Sequence, residues 1–513
     1  MRHIIAAFLA WLFIPTVAFA DAGGFERWYI VEVDGRKAGW AREAETPSEN
    51  NTITSTSELH FKFQRMGQDS NVTVATRFIE SAGGDLLEMN ATQRLGAEEV
   101  SDTYTFIHGI ASYEVRHVTE TVGGKREETL KWPEGEWLAP SAARRLVAQR
   151  LAEGADTITY STLDPSAGLT VASLTLRIVD RNAVVDAAGK TIPAIEWAVS
   201  NSLMPGVVGR DFVDSRGVPV RSELNFGGMK MVMLASEKEA AQSEFSPPEM
   251  MARTLVKPEG KPIVNARGVK HAVFVLSMSD GSDMPDVPSV GAQIAERLDA
   301  KRVRVSVLRG RLSEEPAGPD SPDDPALRAS TMITSNDKWV RDLAQRCGIG
   351  LMEEGDERFS DSLTRSLMLR AVSCVQAHID EETLGVGFAT AAEVARTGRG
   401  DCTEHAVLLA AILRAAGIPT RVVSGVVHVN DDQGEGVFGY HMWALSRALT
   451  QPPSWLDVDA AILPTSPPLK GIGVDATHIA LATSTMADGE MINSMAALVG
   501  LLGRLRIEVI EAD

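Results

Sequence analysis

The stretch GRGDCTEHAVLLAAILRAAGIPTRVVSGVV (Gly398–Val427) decides how the rest of the chain is read. Two glycines make a turn, and Asp401 stands where a helix N-cap belongs, because its short carboxylate can accept orphan N–H groups of a first turn. Gly417 and Pro419 are stop signals at the other end. Between them, Ala406 to Leu413 is apolar on nearly every side, the pattern of a helix buried all round. Cys402 therefore sits at the positive end of a buried helix dipole, a position that favours thiolate over thiol.

A thiol nucleophile needs a base, and the next elements offer one. TRVVSGVV (Thr420–Val427) reads as a strand and HVNDDQGEGVFG (His428–Gly439) as a polar loop. YHMWALSRA (Tyr440–Ala448) and SWLDVDAAI (Ser454–Ile462) read as a hairpin joined through LTQPP, where Pro452 and Pro453 belong in the turn because neither can donate to a ladder. A hairpin symmetric about Thr450 puts His441 opposite Asp459, within side-chain reach. Asp457 is the diagonal neighbour on the same face, so parity leaves both acids open. Trp443 shares that face, as core or as a wall of the cleft.

From Gly398 to Ala461 the chain resembles the core of the transglutaminase-like superfamily, a branch of the papain-like cysteine enzymes. The matching pieces are the opening stretch, YHMW (Tyr440–Trp443) and WLDVD (Trp455–Asp459). The resemblance implies a C-terminal α+β core in which Cys402 is the nucleophile, His441 the base and Asp459 the orienting acid, agreeing with the hairpin register. It also makes the backbone N–H of Cys402 an oxyanion donor. Where many members read Asp-Pro-Thr, this chain reads Asp459-Ala460-Ala461. The implied chemistry is attack on an amide of a protein or peptide through a thioester, with hydrolysis as the favoured outcome and no metal or cofactor required. The rival outcomes are cross-linking by an amine, and a degenerate domain serving as an envelope scaffold. Acyl transfer of the arylamine N-acetyltransferase kind shares the Cys-His-Asp order but not the paired-glycine context before Cys.

The remainder frames that core. A chain of 513 residues is too long for one hydrophobic core. Its formal charge of −19, with no basic block, removes the main attraction to nucleic acid. Residues 1–20 read as a secretory signal peptide, with Arg2 before an apolar run and Ala18-Phe19-Ala20 as the cleavage site. The mature chain is then exported, periplasmic or secreted, with no membrane span. Oligomeric state is not legible. Residues 21–245 alternate with period two and carry the hairpin signals Asp34-Gly35, Gly83-Gly84 and Gly123-Gly124, which predicts an antiparallel meander curled into a barrel or half-barrel. One helix interrupts it near Ser141 to Glu153. Residues 246–335 read as a linker and small β-containing connector, and residues 336–513 as the catalytic domain. The apolar face of Met491 to Gly503 reads as a packed helix.

Two further readings concern cysteine. Export is disulfide-permissive, and an odd count of three leaves one thiol over; Cys347 and Cys374 lie in adjacent helical patterns and could bridge. Cys402, His405, His441 and Asp459 could also supply zinc ligands, but Cys-x-x-His without a second pair of standard spacing is a weak metal signal. His405 and Glu404 read instead as supporting polar groups at the cleft rim or against a neighbouring helix.

Overall fold

The computed structural model describes residues 24–65, 68–94, 98–108, 113–164, 168–204, 207–215, 217–226, 229–250, 255–313, 324–351, 361–382, 389–430, 434–448, 454–463, 473–487, 500–501 and 503–513. The expected signal peptide and most of the expected Met491–Gly503 helix lie outside them. The chain forms two compact units, Met1–Met250 and Met251–Asp513.

The first unit is one antiparallel sheet of fourteen strands. It opens on the hairpin Phe25–Val33 and Arg36–Pro47, whose turn residues Asp34 and Gly35 both have positive φ (49° and 75°). That backbone matches the right-handed twist of the paired strands, which is why Asp-Gly marks the turn. The first eight strands pair in chain order, as do the last six, and the first strand pairs with the last, Met229–Ser236. The edges are therefore Gly124–Lys131 and Thr157–Asp164. Residues from both ends share one apolar cluster: Phe78, Met89, Phe106 and Leu130 from one half, Leu163 and Val171 from the other. Among the described residues the two edge strands do not pair with each other, and the sheet is the antiparallel meander of the sequence reading. Helix Pro140–Ala152 packs on this sheet, with Ser141 N–H donating to Glu80 (2.9 Å) and Arg144 to Ser55 (2.9 Å) and paired with Glu45.

The second unit holds a five-stranded and a four-stranded sheet with helices beside them. The five-stranded sheet draws its strands from both sides of residues 335/336. Its strand His271–Met278 pairs on one side with Arg302–Leu308 and on the other with the C-terminal strand Leu505–Ala512. Ala272, Phe274, Leu276 and Val305 share a core with Ile507, Val509, Val426, Phe438 and Ile479. Residues 246–335 thus supply four of the five strands of this sheet and the C-terminal strand the fifth, because neither chain segment can bury its apolar face without the other.

The four-stranded sheet runs in the order Ser454–Val458, Gly436–Ala448, Thr420–Asn430, Ile479–Ser484. Helix Cys402–Ala415 packs on its two central strands, and helix Asp361–His378 packs on that helix. Cys347, at the end of helix Lys338–Arg346, is disulfide-bonded to Cys374, leaving Cys402 as the free thiol.

Candidate active site

The cysteine helix starts where its sequence says. Asp401 takes the Thr403 N–H at 2.9 Å, and Glu404 takes the Asp401 N–H at 2.9 Å, a reciprocal capping box that fixes the first turn. Gly400 makes the box possible, because a Cβ there would stand 2.2 Å from Glu404 Cβ. Gly398, at φ 65°, ends the preceding helix Ala391–Thr397. Cys402 is the first helical residue, half-buried, and its sulfur lies near enough to His441 to help raise the pKa of that ring. Glu404 and His405 are buried supports and not rim groups: Glu404 also accepts from Ala389 N–H (3.2 Å), and His405 Nδ1 meets the Asp401 carbonyl (2.8 Å).

His441 and Asp459 come together, but not through the expected register. The hairpin pairs Leu445 with Asp457 and Ala448 with Ser454. Continued, that ladder would set His441 opposite Ala461, two residues past Asp459. This pairing keeps the parity and slides the partner, so the contact is diagonal: His441 Nε2 lies 2.7 Å from Asp459 Oδ2. Asp459 falls just past the strand's end at Val458, and its Oδ1 accepts the Ala461 N–H (2.8 Å). The same diagonal step joins Trp443 Nε1 to Asp457 Oδ1 at 2.8 Å. Asp457 also accepts the Ala292 N–H, at 2.6 Å. Parity admitted both acids; the diagonal offset gives one to the histidine and the other to the tryptophan. Asp457 is buried and not solvated, and burial raises its pKa against the pull of Trp443 and Ala292. Trp443 is 1% exposed and stacks 5.9 Å from His441, so it backs the imidazole and forms no wall of an open cleft.

Charge is arranged in alternation. Burial opposes the protonated His441 ring, but the Asp459 carboxylate, by charge and hydrogen bond, and the Cys402 sulfur outweigh it and raise the pKa to about 10. Burial would likewise raise Asp459, yet His441 and His478 hold it far below the usual carboxylate range. His478 was assigned no role from the sequence. Its Nε2 lies 3.2 Å from Asp459 Oδ2 and its Nδ1 3.2 Å from the Asp475 carbonyl. Asp475 in turn takes Arg267 Nη1 at 2.6 Å. The sequence signal there is Asp475-Ala-Thr-His478, whose ionisable pair interrupts an otherwise apolar segment.

His441, Asp459 and His478 offer three ligand atoms within 4.8 Å of one another. The 2.7 Å between His441 Nε2 and Asp459 Oδ2 is a charge-assisted hydrogen bond. Two donors about 2.0–2.1 Å from a tetrahedral zinc would stand more than ~3 Å apart, so this pair does not fit a shared ion.

Residues 366–460, which take in the helix bearing Cys402 and both strands of the hairpin, match the family model of the transglutaminase-like superfamily. The chain therefore carries a transglutaminase-like domain. Comparison with curated proteins returned no match. Among experimental structures, a β-barrel-like protein of a domain of unknown function from Brucella abortus is similar at 13% identity and TM-score 0.31, over 41% of this chain and 95% of its own. A candidate cysteine protease from Cytophaga hutchinsonii is similar at 16% identity and TM-score 0.27, over 48% and 89%. The periplasmic domain of TgpA from Pseudomonas aeruginosa is similar at 18% identity and TM-score 0.24, over 40% and 74%. Among the described residues no helix is long and apolar enough to cross a membrane.

Proposed function

We propose that this chain is an exported thiol enzyme that hydrolyses amide bonds of a protein or peptide, a peptidase or amidase with a papain-like α+β core, through Cys402, His441 and Asp459. The observation that carries this reading is the buried imidazole held at 2.7 Å by Asp459 on one nitrogen, with Cys402 as its other polar neighbour. Three groups of the right type in line, with the base oriented by an acid, are what nucleophilic catalysis needs.

With Nε2 engaged, Nδ1 of His441 is the nitrogen left to share the thiol proton. The Cys402 thiolate attacks the carbonyl carbon, and the tetrahedral oxygen takes up negative charge. The N–H of Cys402, in the first turn of its helix, is the donor we assign to receive it. The C–N bond then breaks, His441 gives its proton to the leaving amine, and a thioester remains. Water, losing a proton to His441, attacks the thioester and releases the acid, and the proton returns to sulfur. An amine in place of water would give cross-linking at the same thioester.

The test uses the full chain. Iodoacetamide should label Cys402 near neutral pH at least about tenfold faster than an unfolded-chain thiol, and His441→Ala should abolish the excess. A Cys402 no faster than the unfolded thiol would sink the enzyme reading. Mass spectrometry of the chain after exposure to envelope extract should then show an acyl adduct on Cys402.

A further inference from the structure

The line Cys402–His441–Asp459 does not end at the aspartate. His478 sets Nε2 3.2 Å from the same Oδ2 that His441 contacts, and its Nδ1 lies 3.2 Å from the Asp475 carbonyl and 3.4 Å from Asp475 Oδ1. Every one of these partners is an oxygen that can only accept. An imidazole that faces acceptors at both nitrogens carries a hydrogen on each, which makes it a cation. His478, Asp459 and Asp475 are all buried. Arg267 caps the row on Asp475 Oδ2, and Thr477 N–H (2.9 Å) and Oγ1 (2.5 Å) fill Asp475 Oδ1. The remaining groups facing His478 are the Asp457 carboxylate, the His441 ring at 5.5 Å and the edge-on Trp443 ring at 5.2 Å.

We propose that His478 is a positioning residue, a fixed imidazolium clamped between Asp475 and Asp459 that holds Asp459 on His441 and limits how tightly His441 keeps its proton. The inference rests on the reading of His441 as the base. With His441 protonated and Cys402 ionised, the row reads −, +, −, +, −, + from Cys402 to Arg267, and each buried charge has an opposite neighbour. A cation on the far side of Asp459 draws off part of the carboxylate field. That matters because His441 must give its proton to the leaving nitrogen and take another from water; a ring that grips its proton too strongly is a poor acid. His478 and its supports lie outside the matched segment 366–460, and Arg267 comes from the stretch preceding strand His271–Met278.

Two measurements on the full chain decide it. With histidine labelled by nitrogen-15, and His478→Gln to assign the resonance, His478 should show both ring nitrogens protonated from pH 6 to pH 8. Asp475→Asn should lower the pH at which it loses a proton. A neutral His478 ring at pH 7 overturns the proposal. The second measurement is the rate of Cys402 alkylation against pH. Glutamine at 478 keeps one donor for Asp459 without the charge, so the alkaline inflection owed to His441, identified by its absence in His441→Ala, should move up by about half a unit or more. A His478→Gln profile that superimposes on the parent overturns the positioning role. If the parent thiol shows no enhanced reactivity, the enzyme reading fails, while the spectra still judge the charge of His478.

Discussion

At the scale of single residues, side-chain parity is what the sequence carries well. His441, Trp443, Asp457 and Asp459 lie on one face because strand side chains alternate, and that much follows from spacing alone. The choice between the two acids depends on an offset of two residues in the pairing of the two hairpin strands. The same scale offers a test in the first unit. Asp211, cross-strand partner of Trp197 in the fourteen-stranded sheet, is buried, and desolvation raises its pKa from 3.8 to about 6 despite a hydrogen bond from Ser222. A folded-state pKa above the unfolded one contributes stability that is whole below about pH 3.8 and lost as pH rises through 6. At neutral pH the buried charge is therefore a cost, and Asp211→Asn should stabilise this unit by about 1–3 kcal/mol at pH 7.5, with the gain gone by pH 4. Urea midpoints at the two pH values check it; an equal gain at both would assign the effect to something other than charge.

At the scale of elements, the cysteine helix was legible from end to end. Asp401, Gly417 and the unbroken apolar run set its limits, and it spans Cys402–Ala415 as local signals require. What local signals did not show is the part played by Gly400, whose missing side chain lets Glu404 fold back to the Asp401 N–H. Gly400→Ala should break that box, costing about 1 kcal/mol of stability. Because the same turn places the sulfur, Cys402 should also alkylate several-fold more slowly; thermal melts with alkylation rates check both. A change in stability with the alkylation rate untouched would separate the cap from the placement of the thiol.

At the scale of the whole molecule, long-range contacts join segments that the sequence sets far apart. Residues 246–335 carried strand patterns and a proline-rich stretch, the usual marks of a connector, yet strand His271–Met278 is completed by Leu505–Ala512 from the far end of the chain. Gln293 binds Ala480 by two hydrogen bonds (2.8 and 2.9 Å), and Gly291 lies against Asp457, where a Cβ would sit 2.0 Å from its carboxylate oxygen. A fragment of residues 251–513 should therefore fold and retain the alkylation rate of Cys402, whereas residues 336–513 alone should fail to fold, as read by circular dichroism and protease resistance. A folded and reactive 336–513 fragment would restore the boundary that the sequence suggested.

The sequence by itself determined the antiparallel meander, the helix that carries Cys402 and the shared face of His441 and the two aspartates. Each of these rests on period, cap or turn chemistry within a few residues. The tertiary structure alone decided which aspartate meets the histidine, that Trp443 is buried behind it, and that His478, Asp475 and Arg267 continue the row of charges. Those contacts join residues up to 208 positions apart. No local pattern encodes such a separation, because the free energy that favours it comes from pairing buried charges that only the folded sheets bring together.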